Sequence, residues 1–169
     1  SLSSDGTVVA IGAYRNDGGG SDRGHVRVYQ YSGGSWSQLG GDIDGESNYE
    51  ELGHSVSLSP DGTAVAIGSY IGSGNYAGHV RVYSYYNAQW NKRGDDIDGE
   101  AASDKSGFSV SLNSDGTKVA IGAYDNDENG SNSGHVRVYQ IDFGAWVQLG
   151  SDIDGEAASD KSGFSVSLN

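Results

Sequence analysis

The chain has 169 residues with 28 glycines, one proline and no cysteine, and 10 Lys+Arg against 23 Asp+Glu give a formal charge of −13. No stretch approaches the roughly 18 apolar residues of a membrane-spanning helix, no charged-then-apolar leader opens the chain, and so strong an acid excess argues against nucleic acid and anionic membrane surfaces as partners. Without cysteine there is neither a disulfide framework nor a thiolate metal site, whereas 35% hydrophobic and 10% aromatic residues can supply a core.

In chain order the first element is Ser4-Asp-Gly-Thr-Val-Val-Ala-Ile-Gly-Ala-Tyr14, an Asp-Gly hairpin turn running into an apolar strand. Gly24-His-Val-Arg-Val-Tyr29 follows, alternating so that Val26 and Val28 share one face and His25, Arg27 and Tyr29 the other. Trp36 marks a further strand, and Asp42-Ile-Asp-Gly-Glu46 an acidic turn. Ser55-Val-Ser-Leu58 alternates again, after which the series repeats. The hairpin returns at Pro60 and Ser114, the His-Val-Arg-Val-Tyr strand at 79–83 and 135–139, the tryptophan at Trp90 and Trp146, and the acidic box at 96–100 and 152–156. All offsets are 54 to 56 residues, so the glycine excess is turn chemistry stamped three times. The segment 96–113 is identical to 152–169, as recent duplication or an idealised repeat would make it.

Four short strands per unit and no helical periodicity predict an all-β chain of β-propeller blades, four-stranded antiparallel sheets in three repeats of about 55 residues. An open β-solenoid is the alternative. The expected units are residues 1–53, whose inner strand is incomplete, 54–107, 108–163, and 164–169 as the first strand of a further blade. Propellers have about four to eight blades. Three therefore predict part of a larger ring, through either a longer chain or several copies completing one ring head to tail.

Gly107-Phe-Ser-Val110, Val119-Ala-Ile-Gly-Ala-Tyr124 and Gly134-His-Val-Arg-Val-Tyr139 together resemble an FG-GAP repeat, the blade of integrin-α-type propellers. The resemblance extends over essentially the whole chain and implies an extracellular or cell-surface setting. There are departures. Gly-Phe stands in reversed order, the second unit has Gly53-His54, and the third element ends Gly-Ala-Tyr or Gly-Ser-Tyr. The calcium loop of integrin-like blades, between the first two strands, has shrunk to Ser-Asp-Gly-Thr or Pro-Asp-Gly-Thr, so that site does not carry over.

Calcium takes six to eight oxygens, typically from alternate residues of a glycine-kinked loop. The candidate ligands are therefore the boxes Asp42, Asp44 and Glu46; Asp96, Asp98 and Glu100; and Asp152, Asp154 and Glu156, with Asp104 and Asp160 further along. The alternative is that these acids are solvated or cap backbone amides of an inter-blade turn. Asp125, Asp127 and Asn129 imitate the first half of an EF-hand loop, but Val136 holds the twelfth position. The loops from 15 to 23 and from 71 to 77 differ most between copies and are where a partner would be contacted, by Arg15, Arg23, Asn75 and Tyr76.

His25, His79 and His135, with Arg27, Arg81 and Arg137, are expected at blade-to-blade contacts where arginine meets an acid. The tryptophans are expected as packing anchors, with sugar stacking as the alternative. No Ser/His/Asp constellation or phosphate loop stands out, and repeat-locked histidines point away from an enzyme. The function expected from the sequence is therefore a non-catalytic extracellular scaffold for adhesion, protein–protein interaction or self-assembly, with calcium as the one cofactor considered. The alternatives are a carbohydrate-binding propeller and an accessory domain of an extracellular enzyme.

Overall fold

A computed structural model describes residues 1–72 and 75–169. Its strands form three antiparallel sheets, each a repeat of one meander. In the first, β1 (Val8–Ala13), β2 (His25–Ser32) and β3 (Ser35–Gln38) pair in order and β4 (Ile43–Asp44) joins β2. The second runs β5 (Ser55–Leu58), β6 (Ala64–Ser69), β7 (His79–Tyr86), β8 (Gln89–Lys92), with β9 (Ile97–Asp98) also on β7. The third repeats this with β10 (Ser109–Leu112), β11 (Lys118–Ala123), β12 (His135–Asp142), β13 (Ala145–Gln148) and β14 (Ile153–Asp154). No helix occurs among the described residues, and none is long and apolar enough to cross a membrane.

These sheets are propeller blades, with one difference from the expected four strands. The outermost strand is broken in two, because the chain passes through Gly40, Gly94 and Gly150 at φ of +77°, +75° and +73°, a region open to glycine at little cost. The acidic box is consequently not all loop. Its Ile-Asp pair continues the outer strand beside β2, β7 and β12.

The hairpins follow from local chemistry. In the turn from β5 to β6, Asp61 Oδ1 accepts from the Thr63 amide (3.0 Å) and the Ser59 hydroxyl (2.6 Å), while Ser59 Oγ accepts from the Ala64 amide (2.9 Å). The innermost strands are tied from blade to blade by serine. The amides of Leu58, Leu112 and Leu168 donate to Ser1, Ser57 and Ser111 Oγ, each at 2.9 Å. This satisfies strand edges that would otherwise be open and explains why the inner strand reads Ser-Val-Ser-Leu.

The core lies between blades. Val8, Ala10, Val26, Val28 and Ile43 of the first blade pack on Leu58, Val65 and Ile67 of the second. Ala64, Ala66, Val80, Val82 and Ile97 of the second pack on Leu112, Val119 and Ile121 of the third. Strand alternation thus gives each blade a forward and a backward apolar face. Close approach is secured at Gly68, where an added Cβ would overlap the Gly107 carbonyl oxygen of the next repeat. Ser55 Oγ donates to that same oxygen at 2.7 Å. Trp90 Nε1 donates back to the Leu39 carbonyl (2.8 Å) and Trp146 Nε1 to Arg93 (2.6 Å), so both indoles pin adjacent blades. His54, Tyr70, Phe108, Tyr124 and Phe164 form a ladder of rings with neighbouring centroids 4.4–5.5 Å apart.

Candidate functional site

Alternation along β7 turns His79 and Arg81 toward the first blade while Val80 and Val82 face the third. They meet Glu50, carried by the segment linking the first two blades and only 1% exposed. Arg81 Nη1 lies 2.5 Å from Glu50 Oε1, Nη2 3.2 Å from Glu46 and Nε 2.9 Å from Asp96 Oδ2. Glu50 Oε2 also accepts from the amides of Glu46 (2.6 Å) and Ser47 (2.9 Å). His79 Nε2 comes within 3.2 Å of Glu50 Oε1, out of line for a hydrogen bond. Burial by itself pushes the Glu50 carboxyl up, but His79, the Arg81 charge and the Ser47 amide outweigh it and hold it at about 2. Asp96 is likewise opposed by burial and held below the usual carboxylate range by Lys92 and Arg81. A cavity of about 210 Å³ opens here, lined in part by Glu46, Asn75, Asp96 and Asp98.

The cleft between the second and third blades repeats this frame with different side chains. Arg137 Nε and Nη2 lie 2.9 and 2.7 Å from Asp152 Oδ2, Nη2 also contacts Glu100, and Gln148 Nε2 donates to Asp152 Oδ1 at 2.5 Å. Burial works against the Asp152 carboxylate, yet Arg137 and Gln148 hold its pKa down. His135, 3% exposed, turns Nδ1 to 3.5 Å from Asp152 Oδ2. On the first blade the pair is open to solvent. Arg27 binds Asp42 through two bonds of 2.9 and 2.8 Å and, with Gln38, holds its pKa at about 2.

The acidic boxes are regrouped rather than kept together. Asp42 and Asp44 cluster with His25, and Asp96 and Asp98 with His79, whereas Glu100 crosses to Glu128, His135 and Asp152 of the next blade. The cause is the break between strand and turn. Ile97 points into the core and leaves Asp96 and Asp98 on one side, and the turn at Gly99 then carries Glu100 across. Asp154 lines the Asp152 cavity, Glu156 is exposed, and Asp160 Oδ2 accepts from the Ala157 amide at 2.8 Å. Asp104 is buried and accepts from Asn126 Nδ2 at 2.9 Å.

In the loop of the third repeat, Asp125 is held between Lys105 Nζ (2.7 Å) and Lys161 Nζ (2.9 Å). Asp127 Oδ1 accepts from the Asn132 amide at 2.7 Å, and Asn129 Nδ2 donates to the Gly155 carbonyl at 2.7 Å. These three are thus turned to separate partners. Of the loop residues expected to meet a partner, Arg23 donates to the Gly19 carbonyl of its own loop and to the Gly45 carbonyl of the acidic turn. Arg15 lies 3.6 Å from Glu51, Asn75 Oδ1 accepts from the Ala77 amide at 3.1 Å, and Tyr76 is 46% exposed. Glu50 and Glu128 escaped the sequence reading. The available signal was their divergence, since the copies have Asp104 opposite Glu50 and Gly18 opposite Glu128.

Residues 97–139 match the FG-GAP repeat family. No curated protein matches the chain significantly. Among solved structures it resembles a provisionally assigned 6-phosphogluconolactonase of Bacteroides fragilis, with TM-score 0.60, 14% identity and coverage of 93% of this chain and 39% of that one. A similarly assigned protein of Bacteroides uniformis gives TM-score 0.61, 14% identity and coverage of 91% and 39%. The periplasmic gluconolactonase PpgL of Pseudomonas aeruginosa gives TM-score 0.51, 17% identity and coverage of 83% and 36%. The chain therefore spans under two fifths of the length of these structures. Family match and fold agree on the class: β-propeller blades carrying an FG-GAP repeat.

One expectation is corrected here. Repeat-locked histidines point away from an enzyme by the sequence alone, yet the three solved structures just described, at 14–17% identity, are named as lactonases. Repetition of a residue in every blade is thus no ground for excluding catalysis, because a propeller site can draw on a single copy of a repeated residue.

Proposed function

We propose that this chain is a protein-interaction module that works by blade-on-blade assembly, its two outer blade faces joining head to tail with those of further copies. The observation that carries the reading is a contrast at one repeated position. Ile67 and Ile121, against a preceding blade, are 0% and 2% exposed, while Ile11 on the first blade is 51% exposed. Trp36, 48% exposed, stands where Trp90 and Trp146 pin a preceding blade. The opposite face of the third blade is its complement. Ile153 is 58% exposed where Ile43 and Ile97 are each 5% exposed against a following blade. The two internal interfaces are thus templates for what covers both outer faces. Such a contact is heterologous, closing into a ring or extending into a filament according to its rotation. A setting outside the cytoplasm belongs to the proposal, supported by the structural likeness to a protein named as periplasmic. Sedimentation velocity of the chain over a range of concentrations tests it. Concentration-dependent association is expected, and a monomer throughout would overturn the reading.

A second reading rests on the names of the matched structures, that the completed propeller opens a sugar lactone. Acid release from gluconolactone by the assembled chain, above the spontaneous rate, would support it, and a rate equal to the spontaneous one would remove it.

A further inference from the structure

We infer that the cleft between the second and third blades is a binding site for one divalent transition cation such as Zn²⁺ or Mn²⁺, held by Glu100, Glu128, His135 and Asp152. One ligand atom of each of the four lies within 4.8 Å of all the others. The acids alone would not carry this, since acidic clusters are common on surfaces. The independent observation is His135, whose side chain is 3% exposed and whose Nδ1 has no hydrogen-bond partner although it faces Asp152 at 3.5 Å. A buried ring nitrogen left without a partner is costly, and a cation at this point would satisfy it.

Comparison with the neighbouring cleft shows what is missing. Between the first and second blades, Glu50 fills the space beside His79, and Lys92 and Arg81 both bind Asp96. In the next repeat Lys92 is replaced by Gln148, which removes one positive charge. Glu50 is replaced by the shorter Asp104, which turns away to Asn126. Glu128 adds a carboxylate from a loop position that is Gly18 in the first repeat. The cleft is therefore lined by four carboxylates, Glu100, Glu128, Asp152 and Asp154, against Arg137 alone, an excess of negative charge that a bound divalent cation would reduce. Arg137 and Gln148 already fix the orientation of Asp152, as outer partners of metal ligands do. A cavity of about 370 Å³ leaves room for the ion and bound water.

The donor set selects the metal. Calcium takes six to eight oxygens, whereas an imidazole nitrogen with a few carboxylates suits zinc or manganese. This site is distinct from the grouping expected within each acidic box, and it does not depend on assembly of the chain. Calorimetric titration with ZnCl₂, and separately MnCl₂ and CaCl₂, tests the inference. One cation per chain is expected, with zinc or manganese at least tenfold tighter than calcium. Glu128→Gln, on an exposed residue that leaves the fold intact, is expected to weaken binding tenfold or more, and His135→Gln to do the same. His79→Gln is expected to leave binding unchanged, and zinc is expected to shift the ¹⁵N resonance of His135 Nδ1. Failure of zinc and manganese to bind at millimolar concentration would overturn the site. So would binding indifferent to Glu128→Gln, or a preference for calcium.

Discussion

Replacing Glu50 by glutamine keeps its shape and removes the charge that the first interblade cleft is built around. The carboxyl ordinarily titrates at 4.5 and is held at about 2 in the fold. A displacement of this size corresponds to about 3 kcal/mol of preferential stabilisation of the charged form. A second estimate starts from Arg81, 4% exposed, which would lose its Glu50 contact and keep Asp96 and Glu46. Breaking a buried pair costs about 3–5 kcal/mol, and the surviving partners place this case at the lower end. The folded-state pKa is depressed, so the stabilisation is present in full above pH 4.5 and is lost as pH falls toward 2. Urea unfolding followed by tryptophan fluorescence is the assay. Glu50→Gln is expected to be about 3 kcal/mol less stable than the wild type at pH 7, with the gap closing as pH falls from 4.5 toward 2. A gap under about 0.5 kcal/mol at pH 7, the range of neutral surface changes, or one that does not vary with pH, would refute the reasoning.

Trp146→Phe removes the indole bond to the Arg93 carbonyl across the second interface while keeping most of the ring. A loss of about 1 kcal/mol in urea unfolding is expected. His54 stands where other copies have Phe108 and Phe164, and its buried Nδ1 has no hydrogen-bond partner. His54→Phe is therefore expected to stabilise the chain by about 1 kcal/mol. Burial also pushes the His54 pKa below 6.5, so the unfolded chain takes up the proton first and wild-type stability falls as pH drops below that value. The phenylalanine variant, followed by thermal melting from pH 7 to 5, is expected to lack that component. Gly68→Ala forces a methyl group onto the Gly107 carbonyl and is expected to cost about 1–3 kcal/mol, read as a lower urea midpoint.

The repeat was legible because each punctuating residue has a local cause. Asp61 and Gly62 build a hairpin turn from their own backbone and side-chain preferences, and Val80 alternating with Arg81 assigns two faces without knowledge of the neighbours. The meeting of Arg81 with an acid across blades was legible for the same reason. The acid itself was not, because Glu50 sits in a linker with no periodic signal and reaches Arg81 only once two blades are stacked. The acidic box misled for a related reason. Asp96, Asp98 and Glu100 lie within five residues of sequence, but a two-residue strand keeps Asp96 and Asp98 beside His79 while the turn at Gly99 sends Glu100 to the next cleft. The broken outer strand depended on Gly94 adopting positive φ, which a glycine permits without requiring. The expectation of no catalysis came from an absence of motif, and an absence of motif carries no physical constraint.

The claim that the two outer blade faces are complementary halves of one interface is tested most directly by complementation. Ile11→Glu spoils the face of the first blade and Ile153→Glu that of the third, both at positions already exposed to solvent in the isolated chain. Each variant alone is expected to sediment as a monomer, because its intact face has no intact counterpart. An equimolar mixture is expected to form a one-to-one complex and nothing larger. A mixture that sediments as monomer, or single variants that associate as the wild type does, would contradict the account.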